Sequence, residues 1–158
     1  MWERWNSYEL AFRLDGESGM NSFNHFALGS VGSWIHEYHL GITTGDKPGY
    51  QHFILQPLPG GTYTKASGSY TSNYGVIRSS WTADSGQLKS YAFTVPANTS
   101  ATLYLPVEAS TVDGFINTEI VQYKGMEERN GMQTAKFEVL SGNHTMHIQN
   151  GRLIVSAK

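Results

Sequence analysis

The sequence of 158 residues contains no cysteine, which excludes a disulfide framework, a thiolate nucleophile and any cysteine-ligated metal. Charge is scarce: Asp, Glu, Lys and Arg make up 15% of the chain, against about 25% in an average globular domain. The 11 basic and 13 acidic side chains leave a formal charge of −2, so neither a nucleic-acid footprint nor a polybasic membrane patch is present. No apolar run approaches the ~20 residues that cross a bilayer, and the start of the chain lacks a charged-then-apolar leader pattern. What is plentiful is aromatic residues, at 13%, and glycine, of which there are 17. Low charge with many aromatics, threonines and glycines suits short strands and tight turns.

One segment departs from this β-type composition. Phe23, Phe26, Ala27, Val31, Trp34, Ile35 and Tyr38 recur at steps of three and four, the spacing of a helical face. It predicts one helix over 22–40, with Ser22 as N-cap and Gly41 as the stop. Gly29 and Gly32 inside it each cost about 1 kcal/mol against alanine, a cost consistent with a close approach of backbone or ligand and equally with local conformational tolerance. So apolar a helix requires packing partners that this chain does not offer.

From Tyr50 the period becomes two. Strands are predicted over 50–56, 62–70, 74–82, 88–95, 100–105, 135–140 and 145–149. Turns are predicted at Asp84-Ser85-Gly86, Pro96-Ala97-Asn98, Asn130-Gly131 and Ser141-Gly142-Asn143. That arithmetic fits an antiparallel two-sheet sandwich. The polar stretch 43–49 marks the joint, giving segments 1–43 and 44–158. The pattern leaves open whether residues 150–158 add a strand.

Three clusters carry candidate chemistry. Trp2-Glu3-Arg4-Trp5 sets a carboxylate between two indoles: aromatic faces stack on sugars, and a carboxylate binds hydroxyls or accepts a proton. A Trp-x-x-Trp also serves, more commonly, to pack against a domain surface. Asn21-Ser22-Phe23-Asn24-His25 places polar groups at a helix start, where free N–H groups meet ligands; spacing alone favours capping by Ser22 and Asn24 with a structural His25. The third set is His25, His36, His39 and His52. His36 and His39 have metal-ligand spacing without a third ligand nearby, and His144 and His147 point to opposite faces of one strand, so no metal site is assigned. Glu127-Glu128-Arg129 reads as a solvated hairpin tip.

Taken together, Trp2–Trp5, Asp15-Gly16, Met20–Trp34, Pro48–Phe53 and Pro57–Gly61 resemble the C-terminal end of bacterial α-L-rhamnosidases of glycoside hydrolase family 78. Tyr70–Gly75, Ser80-Trp81, Val95–Pro106 and Leu140–His147 are similar to that family's terminal β domain. The resemblance implies a mainly β fold: an antiparallel β-sandwich (44–158) preceded by the last loop and helix of a truncated (α/α)6 catalytic barrel (1–43). It implies inverting hydrolysis of terminal α-L-rhamnosyl groups without a cofactor, using an acid and a base separated by roughly 6.5–9.5 Å. By motif position Glu3 is the general base and His25 contacts the rhamnose hydroxyls, with Trp2, Trp5 and Asn24 lining or bracing the pocket. The general acid has no counterpart in this chain. The implied partners are therefore a rhamnose-containing glycoside and the missing part of the barrel, and the fragment alone is expected to be inactive. The compartment stays open, cytoplasmic or exported. A competing reading, a self-contained carbohydrate-binding module, requires an exposed aromatic row drawn from Tyr63, Tyr70, Tyr74 and Trp81.

Overall fold

The computed structural model describes residues 1–12 and 21–157; Asp15, Gly16 and Met20 of the motifs above lie outside the described residues. The chain divides into two compact units, Met1–Ile35 and His36–Lys158.

Among its described residues the first unit holds three short helices, α1 (Ser7–Ala11), α2 (Phe26–Gly29) and α3 (Val31–Trp34). The single helix predicted from Ser22 is thus shorter and broken. It starts late because the Ser22 N–H is already committed to the Glu3 carboxylate, 2.9 Å away, and His25 occupies the N-cap position in extended conformation. It breaks at Ser30, whose hydroxyl donates back to the Ala27 carbonyl at 2.7 Å, a side-chain bond that competes with the helix ladder. After α3 the ladder widens to a π-helical turn, Ile35–His39. A Cβ placed on Gly29 or Gly32 meets no heavy atom within 4 Å, so no close backbone approach among the described residues explains them.

After the π-helical turn, the described residues of the second unit form eight strands joined by loops and short 3-10 turns: β1 (Ile42–Thr44), β2 (His52–Leu55), β3 (Lys65–Ser72), β4 (Gly75–Asp84), β5 (Gln87–Leu105), β6 (Val121–Arg129), β7 (Met132–Gln149) and β8 (Arg152–Ala157). Hydrogen bonding runs β1-β2-β5-β4-β3, with β7 joining β5, β6 and β8. The register shows how one sheet makes two layers. Ser90–Val95 of β5 pairs with 142–147 of β7, and Ser100–Leu105 pairs with 135–140. The first halves sit beside β4 and β8, the second beside β2 and β6. All pairings are antiparallel except β2 with β5. Strands that bend from one layer into the next form the corners of such sandwiches.

The bends account for two differences from the sequence reading. Pro96-Ala97-Asn98 and Ser141-Gly142-Asn143 are irregularities inside continuous strands, not turns between separate ones: the register slips between Val95 and Ser100, and Asn98 carries φ 61. Turn-type residues serve both purposes, because a bulge also needs unusual backbone angles. At three hairpin tips, Ser85-Gly86, Asn130-Gly131 and Asn150-Gly151 have paired positive φ values, the backbone of a type I′ loop. Residues 152–157 form β8. Glu127 and Glu128 lie within β6 rather than at a tip.

The inward residues of both layers, including Phe53, Leu55, Trp81, Tyr91, Leu103, Phe137 and Met146, make one core cluster. Trp81 is fully buried, which removes it from any exposed aromatic row. Its indole N–H donates to the His39 carbonyl at 2.7 Å. The Ser79 hydroxyl donates to the Leu40 carbonyl at 2.6 Å and accepts from the buried Tyr91 phenol at 3.1 Å, whose pKa burial drives upward. Gly41 then turns the chain into β1 at φ 70, so close to β2 that a Cβ would lie 2.0 Å from the Gln56 carbonyl oxygen.

Two expectations follow. Gly41→Ala, forced into both a left-handed angle and a backbone clash, should cost more than about 2 kcal/mol, read from denaturant midpoints. The second concerns His144, which is 1% exposed and stacked on Phe93 at 5.0 Å. Its Nε2–H donates to the Leu140 carbonyl at 3.0 Å, and Nδ1 is buried with no partner among the described residues. Burial lowers its pKa below the ordinary 6.5. The unfolded chain therefore binds the proton first, so the stability of the neutral ring is complete above about pH 6.5 and drains as pH falls. Thermal midpoints between pH 8 and 5 should fall less steeply in His144→Leu than in the wild type; parallel curves would refute the assignment.

Candidate active site

Within the first unit, the two polar clusters meet. Residues 1–3 lie along 22–25: the Glu3 N–H donates to the Ser22 carbonyl and the His25 N–H to the Met1 carbonyl, both at 2.8 Å. The carboxylate folds back into this ladder, its Oε2 accepting the Ser22 N–H at 2.9 Å. His25 Nδ1 stands 3.9 Å from the same oxygen, within ion-pair range and too long for a hydrogen bond. The Glu3 and His25 side chains are 19% and 29% exposed, shielded yet reachable from solvent. Among the described residues Oε1 takes no hydrogen bond.

The other candidates are placed around this pair. Trp2 meets Phe23 edge to face at 5.3 Å, pinning the start of the chain to the second loop. Asn24 donates its backbone N–H to Ser22 Oγ at 3.2 Å and is exposed. Trp5 is fully exposed at 103%. Arg4 is closed into a turn by Ser7, whose Oγ accepts the Arg4 N–H at 3.1 Å. The residue that the spacing argument misassigned is Ser22: its N–H serves the carboxylate instead of beginning a helix, and only the proximity of Glu3, across about twenty residues of sequence, reveals that role.

The remaining histidines act structurally or lie apart. His52 bonds Ser100 Oγ through Nδ1 at 2.8 Å and Thr102 Oγ1 through Nε2 at 2.9 Å, tying β2 to β5. His39 stacks edge to face on Tyr63 and Trp81. No group of three His, Asp or Glu side chains among the described residues is arranged to hold a metal. Chemically, the arrangement offers a carboxylate with one oxygen fixed by a backbone N–H, beside an imidazole able to donate or accept: the parts of a proton-accepting, hydroxyl-binding site.

Comparison with known families assigns both regions. The bacterial alpha-L-rhamnosidase six-hairpin glycosidase domain matches residues 1–39 and the bacterial alpha-L-rhamnosidase C-terminal domain matches residues 41–114. The chain belongs to the bacterial α-L-rhamnosidase family. A curated α-L-rhamnosidase of Streptomyces avermitilis is 36% identical over 145 residues, 91% of this chain and 13% of the relative. Another, from Formosa agariphila, is 36% identical over 110 residues, 70% of this chain and 12% of the relative. The crystal structure of the Streptomyces avermitilis enzyme, complexed with L-rhamnose, superposes with a TM-score of 0.63 at 34% identity, covering 92% of this chain and 13% of that one. The Aspergillus terreus α-L-rhamnosidase gives 0.62 at 30% identity, covering 95% and 14%. This chain is thus homologous to the C-terminal region of these glycoside hydrolases and spans only about an eighth of their length.

Proposed function

We propose that this chain is the C-terminal part of a longer inverting α-L-rhamnosidase that hydrolyses terminal α-L-rhamnosyl residues from glycosides, with Glu3 as its general base. In this reading residues 1–43 complete the catalytic barrel and 44–158 form the terminal β-sandwich. The observation that carries it is the fixed Glu3 carboxylate. With Oε2 engaged by the Ser22 N–H at 2.9 Å and facing His25 at 3.9 Å, Oε1 is the oxygen that takes the proton from the attacking water. That water approaches the anomeric carbon as a general acid on the opposite side, supplied by the rest of the barrel, protonates the leaving oxygen. His25 donates to a rhamnose hydroxyl. Trp2, braced by Phe23, and Asn24 support the loop beside it, and the exposed Trp5 offers a face to the sugar or to the missing wall.

The reading also accounts for the surface of the first unit. Phe26 is 83% exposed and Val31 52%, faces that the remaining helices of a barrel would cover. A free-standing sugar-binding module would instead put its aromatics on the sandwich, where Tyr63, Tyr70 and Tyr74 are exposed but Trp81 is in the core.

In the longer protein, Glu3→Gln keeps the shape and removes the base. It should lower kcat on an aryl α-L-rhamnoside by about 100-fold or more, with the fold checked by circular dichroism. An unchanged rate in a folded variant would strip Glu3 of its role. The isolated 158-residue chain should show no rhamnosidase activity. Light scattering should find it self-associated through the exposed Phe26–Ile35 face; a monodisperse monomer at high concentration would count against the missing-barrel reading.

A further inference from the structure

Beside the Trp2–Phe23 ring contact, the loop that presents Glu3 has a polar anchorage. Ser7 is completely buried. Its hydroxyl accepts the Arg4 N–H at 3.1 Å and donates to the Arg4 carbonyl at 2.7 Å, closing the turn that follows Glu3. Its own carbonyl accepts the Asn21 side-chain N–H at 2.8 Å. Asn21 directly precedes Ser22, whose N–H holds the carboxylate. The loop is therefore gripped at both ends: at Glu3 by Ser22, and four residues later by the amide of Asn21 acting through Ser7. The Asn21 Oδ1 is buried with no partner among the described residues.

We propose that Ser7 and Asn21 form a clamp that sets the position of the Glu3 carboxylate, and are positioning residues for the hydrolytic step. The inference rests on the reading of Glu3 as the base. Neither side chain touches the sugar; each acts by fixing the loop. A carboxylate that activates water must be held to within a fraction of an ångström of its productive place, and a 1 Å displacement costs rate out of proportion to binding. Releasing the clamp lets the Trp2–Trp5 turn move relative to Ser22 and so misplaces Oε1, while the hydroxyl contacts that hold ground-state substrate remain.

The test is a double-mutant cycle in the longer enzyme with an aryl α-L-rhamnoside, using Ser7→Ala, Asn21→Ala and Glu3→Ala. Each clamp variant should lower kcat about 10-fold or more with KM changed by less than about 3-fold. In the Glu3→Ala background the same substitutions should cost nothing further, because no base is left to position. Asn21→Asp keeps the shape but cannot donate to the Ser7 carbonyl; it should reproduce the Asn21→Ala loss and serves if that variant does not accumulate. Full activity of the clamp variants beside intact Glu3 would overturn the proposal. So would an equal loss with and without Glu3, the mark of a merely structural role. Should Glu3→Ala itself keep full activity, the assignment of the base has failed, and the clamp falls with it at its premise rather than at its own step.

Discussion

The pairing of β5 with β7 is the constraint on which the second unit depends. Each strand is long enough to run through both layers, and their register continues from Ser90–His147 to Leu105–Ala135 across one shared bend. Because both strands bend together, the two layers cannot slide independently. Shifting the register by one residue would turn Phe93, Leu103, Phe137 and Met146 outward at once. Every other strand is an addition to this ribbon: β4 and β3 on one side of the first layer, β8 on the other, β2 and β1 beside the second, β6 opposite them. β2 enters parallel beside β5, and there His52 engages Ser100 and Thr102 through its two ring nitrogens.

Against this frame the chain leaving the helical segment is fastened by polar bonds made inside the core. Three successive carbonyls are taken by sandwich donors: His39 by Trp81, Leu40 by Ser79 and Gly41 by the Gln56 N–H at 2.8 Å. Buried carbonyls without partners would be costly. Fixing three in a row therefore defines where the sandwich begins more sharply than apolar contact does. Gly68 supplies the room, since a Cβ there would lie 2.4 Å from Leu40 Cδ1. The tryptophan that a surface reading would lend to a sugar is thus the donor that terminates the preceding segment.

The alternation of Tyr91, Phe93 and Val95, and of Ala101, Leu103 and Leu105, was legible because one face of each strand is dry, and period two is the direct imprint of that. β6 was not legible: Val121-Gln-Tyr-Lys-Gly-Met-Glu-Glu-Arg129 is an edge strand, charged as edges are, and its register slips at Lys124, between Tyr123 and Gly125. β1 is three residues long, too short for any period. The bends at Pro96–Asn98 and Ser141–Asn143 could not be told from turns, because the residues that tolerate unusual angles are the same in both. At the candidate site, motif position in the family resemblance pointed to Glu3 and His25, whereas spacing alone favoured a structural His25. The Ser22 amide that fixes the Glu3 carboxylate is backbone and leaves no signature in the sequence.

The two units hold their shape by different means, and this bears on how each responds to substitution. The sandwich has a large buried cluster in which side-chain volume is decisive. In Met1–Ile35, Ser7 and Leu10 alone among the described residues are buried, and the helices are four or five residues long. Helices so short gain little from their own hydrogen bonds. Their order rests on the ladder between residues 1–3 and 22–25 and, in the proposed enzyme, on the helices that cover them. Core substitutions in the sandwich should therefore be felt mainly as lost stability. Polar substitutions in the first unit, which has little core to lose, should be felt mainly as misplacement of a carboxylate. A site built this way gains its precision from backbone bonds between two loops, and its shielding from chain that lies beyond them.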